Sequence, residues 1–489
     1  MILLPLLCLF LVVQAFGEFN QSQLHALSSL YNSTNGDSWY WQNETEYGSI
    51  WNFSDVNVNP CNPRWQGINC TNTNRIVSVE LNAHNLTGAL PDDVFVNLTG
   101  LVELQLKDNH LSSSLPSSLM QLGSLTALDL GDNRLIGKID AVSALTKLQV
   151  LSLPNNEFTG TISAVQGLHD LEGFIAYQNK LSGTLQPLEN LTKLSVLIVG
   201  SETLQLCARL YYNLVGLNIS VETFELLLNE TIPKTHNDSR PFISDINPHD
   251  VLHKANGFTG SLNFIENLAN LTSLNVAGNF LTGKVDAISA LTNLRELYLQ
   301  NNGFTGTIGA IQGLYDLEAF AASDNELNGT LQPFENLTKL GFLYVAGNYF
   351  EGDLQPLRNL SAIYSLGLGE NQLVGDLTAL SSMNSITYMS VYTNKLSGDV
   401  QTLRNFPKLL YLDTSVNNFT GGVNDLYGLN YLRFIYIFSN FFQGDICSTQ
   451  EMINLYVLAA GGNHLFTIPM HALFSFILHY FNKIYRLLR

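Results

Sequence analysis

Lysine and arginine are scarce, 23 against 41 aspartates and glutamates in 489 residues, for a net charge of −18. No basic run stands out among them. Phosphate backbones need clustered cations, so nucleic acid is excluded as a partner. Charged residues of both signs amount to only 13%, and the acidity is spread thinly, as solubility requires. The five cysteines form no CxxC pair, so the usual zinc and redox spacings are missing. A GxSxG elbow, a P-loop and a GxGxxG turn between strand and helix are missing too. His249 and His253 stand four apart, a zinc-binding spacing only on a helix. Val251 and His253 read instead as strand positions of the segment ending at Asn256, where side chains alternate with period two. Carboxylates are many but scattered. The chain is therefore expected to hold no metal and no cofactor, and not to be an enzyme.

No apolar run reaches the roughly 20 residues of a membrane helix. Leu3 to Val13, followed by Ala15 and Gly17, has the length and cleavage pattern of a signal peptide, expected as residues 1–17. The tail at 467–489 holds an apolar stretch from Met470 to Phe481, with Lys483, Arg486 and Arg489 beyond. That stretch is short for a span, so membrane anchoring through the tail is the less favoured reading beside a cap helix or a truncated end. Secretion agrees with the many N-x-S/T sequons, among them Asn32, Asn43, Asn52, Asn97, Asn190, Asn270, Asn336 and Asn359. A used sequon marks a surface position in a secreted chain.

What the sequence has in abundance is a period. The pattern L-x-x-L-x-L-x-x-N-x-L-x-G fits at Asn109, Asn133, Asn156 and Asn179, and from Asn256 to Asn463 it recurs every 23 residues. His84 takes the asparagine place in the first unit and Glu202 in the sixth. Each unit alone cannot bury its apolar face, whereas stacked units share one core. The leucines point inward. The asparagine stands where the chain turns from the strand, where its amide can bond backbone groups of adjacent turns in a ladder. A buried polar group left without a partner costs about 1–3 kcal/mol. The glycine four residues later (Gly137, Gly160, Gly183, Gly283, Gly306) suits a tight turn. A longer repeat lies above this one: residues 137–199 match 283–345 at an offset of 146, so several units were copied as a block.

Ahead of the repeats stand ALSSLYNSTNGDSWYWQN and PCNPRWQGINCTNTNRIVSVELNAHNLTGALP, with Trp39, Trp51, Cys61, Trp65, Gly67 and Cys70 and the L-T-G-x-L-P form at Leu86 to Pro91. This resembles the N-terminal cap and first repeat of plant-type leucine-rich-repeat extracellular proteins, such as receptor-like proteins and polygalacturonase-inhibitor-like ectodomains. The resemblance implies an α/β solenoid, a superhelix with a concave parallel β-sheet and a cap at residues 18–75 pinned by a Cys61–Cys70 disulfide in an oxidising compartment. Solenoid blocks are expected at 76–202 and 249–466. It also implies extracellular ligand recognition; signalling members of the family add a transmembrane helix and often a kinase. Cys8 leaves with the signal. Cys207 and Cys447 are expected to be buried thiols.

Residues 203–248 abandon the register. A decayed or wrongly spliced stretch is the simpler reading; an island folded over the concave face is the other. By strand alternation, residues six, four and two before each asparagine face out of the sheet. In the C-terminal half these include Tyr298, Phe342, Tyr344, Tyr388, Tyr392, Tyr411, Asp413, Phe434, Tyr436 and Phe438. Rings exposed in a concavity offer binding area at low entropic cost, though aromatics also simply suit strands. The ligand expected is an extracellular protein, peptide or glycan, and alanine at Tyr344 and Tyr388 is expected to remove binding without lowering the melting temperature. The sequons at Asn190, Asn336 and Asn359 fall on the return segments, away from that face. Two alternatives are a structural or adhesive wall or matrix glycoprotein, and the ectodomain of a receptor-like protein lacking its membrane and kinase parts.

Overall fold

The computed structural model describes residues 19–55, 58–200, 256–426, 429–445 and 454–466. The signal stretch, the irregular segment with Cys207 and the His249–His253 pair, Cys447 and the apolar tail lie outside the described residues. The described residues fall into two compact units, the first ending at Phe280 and the second beginning at Leu281.

The first unit opens with the helix Gln21–Ser33, whose N-cap Asn20 side chain accepts from the Ser22 amide. Its buried face is Leu24, Ala26, Leu27 and Leu30. The helix stops at Thr34, whose hydroxyl donates back to the Leu30 carbonyl at 2.7 Å. Below it the rings of Trp39, Trp51 and Trp65 are buried, Trp51 stacked on Trp65 at 5.6 Å. The indole N–H groups of Trp39 and Trp51 donate to the Thr34 and Gln66 carbonyls, so both rings are buried with their polar ends paired. The Cys61–Cys70 disulfide is formed. Gly67 has a positive φ, and a Cβ there would meet the Glu80 carbonyl at 2.3 Å, so only glycine lets this loop lie against the first strand pair. That pair, Ile68–Cys70 with Ile76–Glu80, is antiparallel. The following strands of the unit add in parallel through Glu103–Gln105, Ala127–Asp129, Val150–Ser152, Gly173–Ile175, Val196–Ile198 and Ser273–Asn275.

Each coil repeats one local logic. A strand of three residues buries its central apolar side chain, as at Leu128, Leu151 and Phe174. The asparagine then turns the chain. Asn156 donates from Nδ2 to the carbonyls of Leu130, Leu153 and Pro154 and accepts the Leu135 amide on Oδ1 at 2.9 Å. One buried side chain thus satisfies backbone groups in its own coil and its neighbour. Beyond the turn, short strands such as Glu157–Gly160 and Lys180–Thr184 pair as a second ladder. The recurring glycine there has positive φ, 83° at Gly160 and 86° at Gly183. Short 3-10 helices such as Ser163–Val165 return the chain. Exposed ion pairs join equivalent positions of adjacent coils, as Lys193–Asp170 and Lys339–Asp316; such pairs are worth well under about 1 kcal/mol each. In the first coil the Asn position is held by His84, whose ring nitrogen pairs with the Asn82 carbonyl at 2.7 Å. Burial holds this imidazole below its ordinary pKa, opposed by that bond.

The sixth asparagine place corrects the sequence reading. Asn256 donates to the Ala176 and Val199 carbonyls and accepts the Leu181 amide. These are the bonds expected of a ladder residue three positions after Val199. The strand that Asn256 closes is therefore Val196–Ile198, so Asn256 takes the ladder place assigned to Glu202; Val251 and His253 lie outside the described residues. In sequence, residues 201–255 stand between that strand and Asn256. The neighbouring strands pair in normal register, Val196 with Ser273 and Ile198 with Asn275.

The second unit repeats the arrangement through Glu296–Tyr298, Ala319–Ala321, Phe342–Tyr344, Ser365–Gly367, Tyr388–Ser390, Tyr411–Asp413, Phe434–Tyr436 and Val457–Ala459, all parallel. Its second ladder carries buried Phe304, Phe350 and Phe419. The residue before the ladder asparagine is left-handed in coil after coil, glycine at Gly347 but also Thr393 and Val416, where a β-branched side chain stores strain.

Asn348 bonds the Ala322, Val345 and Ala346 carbonyls and the Leu327 amide. Asn348→Ala orphans these buried groups and is expected to lower stability by about 3 kcal/mol. Asn359→Ala, on an exposed return segment, should change it by under about 0.5 kcal/mol. Chemical denaturation of the two variants checks this; equal effects would contradict it.

Candidate ligand-binding face

In the second unit, strand alternation places three residues of each coil on the outer side of the sheet. Parallel register then aligns them in rows. Phe342 stands between Ala319 and Ser365, and Tyr344 between Ala321 and Gly367. Tyr388 and Tyr411 are direct neighbours, as are Asp413 and Tyr436.

The structure brings Phe342, Tyr344, Tyr388 and Tyr411 together as stacked rings, with Phe434 and Tyr436 tilted against Tyr411. Phe342 and Tyr344 stack at 4.3 Å and 17°, Tyr344 and Tyr388 at 5.9 Å and 25°. Tyr388 and Tyr411 stack at 4.4 Å and 11°. Tyr411 also meets Phe434 and Tyr436, at 6.3 and 5.6 Å. Small neighbours make room for this. A Cβ on Gly367 would lie 2.6 Å from the Tyr344 ring, and one on Gly369 2.2 Å from the Tyr392 ring. The large-beside-small pairing was not recognised from sequence; the signal available was glycine at face positions of a strand, where the residue type is otherwise unfavourable. Tyr364 also went unrecognised. It stands one residue before the three face positions of its strand, yet packs at 6.5 Å from Phe342.

The rings are not equally accessible. Tyr298, Phe342 and Tyr344 are 0%, 3% and 6% exposed, and with Ala319 and Ala321 they form a buried cluster. Tyr388, Tyr392, Tyr411, Asp413, Phe434 and Tyr436 are half-buried, and Phe438 is 37% exposed. The accessible part of the strip therefore begins at Tyr388. Tyr344, whose hydroxyl pairs with that of Ser365 at 2.8 Å, is part of the packing, so its truncation cannot leave stability untouched.

Asp413 sits at the centre of the accessible part. One carboxylate oxygen accepts from the amide and the hydroxyl of Ser415. Burial pushes its pKa above the ordinary carboxylate range, opposed by the two Ser415 bonds. Burial likewise raises the hydroxyls of Tyr388, Tyr392 and Tyr411; the charges of Glu370 and Asp324 add to it at Tyr392, and the charge of Asp413 adds a smaller part at each. All three phenols are thus within electrostatic reach of this one carboxylate.

Among the sequons singled out, Asn32, Asn43, Asn52, Asn190, Asn270, Asn336 and Asn359 are exposed and Asn97 is half-buried. Among the described residues no helix is long and apolar enough to cross a membrane.

Two stability measurements check this geometry. Tyr344→Ala removes a buried ring and is expected to cost about 3 kcal/mol or more; an unchanged melting temperature would contradict it. Asp413 is protonated more readily in the folded chain than in the unfolded one. Wild type should therefore be most stable relative to Asp413→Asn below the unfolded carboxyl value of about 4. It should lose that relative stability as pH rises from there through the raised native value. Melting curves of both proteins from acid to neutral pH would show the difference opening upward; a difference opening in the other direction would refute it.

Comparison with known proteins extends the picture. The Leucine rich repeat family model matches residues 75–135, and the Leucine Rich repeats (2 copies) model matches 269–315. The Arabidopsis thaliana leucine-rich repeat receptor-like serine/threonine-protein kinase RGI4 is 34% identical over 91 residues, which is 19% of this chain and 8% of that protein. Receptor-like protein kinase 7 from the same plant is 32% identical over 91 residues, 19% and 9% of the two chains. The match spans less than a tenth of the length of these kinases. Among solved structures, the ectodomain of the Arabidopsis receptor kinase HAESA, in complex with an IDA peptide hormone ligand, is similar with a TM-score of 0.67 at 22% identity, covering 90% of this chain and 70% of that one. A leucine-rich-repeat protein of Leptospira interrogans is similar with a TM-score of 0.55 at 21% identity, covering 80% and 85%. Ladder, register and matched segments agree: the fold is a leucine-rich-repeat solenoid, with leucine-rich repeats at residues 75–135 and 269–315 and a stretch homologous to the repeats of plant leucine-rich-repeat receptor-like kinases.

Proposed function

We propose that this chain is a secreted or cell-surface recognition scaffold, glycosylated and without catalytic activity of its own, that binds a peptide, protein or glycan on the sheet face of its second unit. The observation that carries the reading is the row of half-buried rings from Tyr388 through Tyr411 to Phe434 and Tyr436. Rings held by stacking lose little entropy on binding and tend to dominate interface energies. Seven of the sequons singled out are exposed, and Asn336 and Asn359 lie on return segments, so sugars there leave the sheet face free. The homology to receptor kinases through their repeats supports a receptor-like ectodomain as the form such a scaffold takes.

The test begins with ligands captured from the extracellular fraction and titrated against purified variants. Tyr411→Ala with Tyr436→Ala is expected to weaken the captured ligand by at least about 30-fold, the scale of a hot-spot loss. Tyr315→Ala, which removes an exposed ring on a return segment, should leave affinity unchanged. Equal affinity in all three proteins would overturn the reading.

A further inference from the structure

Across the sheet-face positions from Phe342–Tyr344 to Val457–Ala459 there is one carboxylate, Asp413, and no lysine, arginine or histidine. Its row and the two beside it define its surroundings. Ser390 and Tyr436 flank it across the strands. Tyr388 and Tyr411 stand on one side of it, and Tyr392 and Phe438 two positions along their strands on the other. Ser390 and Ser415, the small residues beside it, are buried beneath the rings' level of exposure. Both hydrogen bonds Asp413 receives fall on one oxygen, from Ser415; the other oxygen accepts none among the described residues. Arg433, at the start of the neighbouring strand, lies over the Tyr456 ring at 5.6 Å and forms no ion pair with Asp413. A half-buried carboxylate walled by rings and lacking a cation is a costly arrangement.

We propose that this aromatic well, with Asp413 on its floor, is a site for a cationic side chain, an arginine presented by an extracellular peptide. The claim rests on the sheet-face reading above and narrows it to one ligand chemistry. Arginine fits best because its planar guanidinium can stack on tyrosine while its fork donates to the free carboxylate oxygen. Ligand charge then replaces the water that Asp413 loses, so the residue contributes to selection while weakening the empty fold.

The probe is a capped pentapeptide with a single central arginine, set against the same peptide with neutral, near-isosteric citrulline, each titrated by calorimetry into the full chain. Wild type is expected to bind the arginine peptide at least about ten-fold more tightly. Asp413→Asn should erase that preference, and Asp413→Glu should restore part of it. Melting temperature of Asp413→Asn at neutral pH should not fall, which separates lost recognition from lost folding. Equal binding of both peptides to wild type, with Asp413→Asn unchanged and Tyr411→Ala weakened, would overturn the cation claim and leave the face reading standing. Failure of wild type to bind either peptide, together with no effect of Tyr411→Ala on captured ligands, would overturn both.

Discussion

Everything in this structure depends on a buried side-chain amide that bonds backbone from two coils at once. Strands three residues long cannot hold themselves together, and the turns after them would bury carbonyls and amides with no partner. The asparagine removes that penalty in one stroke: its Nδ2 serves two or three carbonyls and its Oδ1 one amide. Leucine supplies the burial that drives stacking, but the asparagine sets the register in which stacking occurs. With register fixed, side chains 23 residues apart become neighbours on the outer side of the sheet.

The insertion after Gly200 shows how local this logic is. Fifty-odd residues separate Val199 from Asn256 in sequence, yet the side chain of Asn256 bonds the Val199 carbonyl at 3.0 Å as Asn348 bonds Val345. The fold reads the ladder bonds, not the spacing. Sequence reading followed spacing, and so assigned a coil to Glu202 and another to Asn256. The period made the repeats and the glycine turns legible, because each is dictated by neighbours within one or two coils; the cap disulfide came from the resemblance to plant-type caps. The period shows that the register is lost after Glu202, but not which strand the next asparagine closes.

The proposed binding face was legible in direction and not in depth. Alternation says which side of the sheet Tyr298 and Tyr411 occupy, and both stand there. It does not say that Tyr298 is enclosed while Tyr411 stays half open, since that depends on what neighbouring strands carry. The stacking of Tyr344 over Gly367 and of Tyr392 over Gly369 needs residues from different coils compared at the same position. The same comparison isolates Asp413, one acid among rings and small residues. Its significance appears only when the absence of any cation along the rows is set beside its half-burial.

The ladder claim is tested most directly by amide hydrogen exchange at Leu181, whose N–H donates to Asn256 Oδ1 at 3.1 Å. If Asn256 closes that coil, Leu181 should exchange as slowly as Leu327, whose N–H donates to Asn348 at 3.0 Å inside the uninterrupted repeats. Exchange at Leu181 as fast as at an exposed amide would show that the ladder breaks there, and the account of how the coils are held would fail with it.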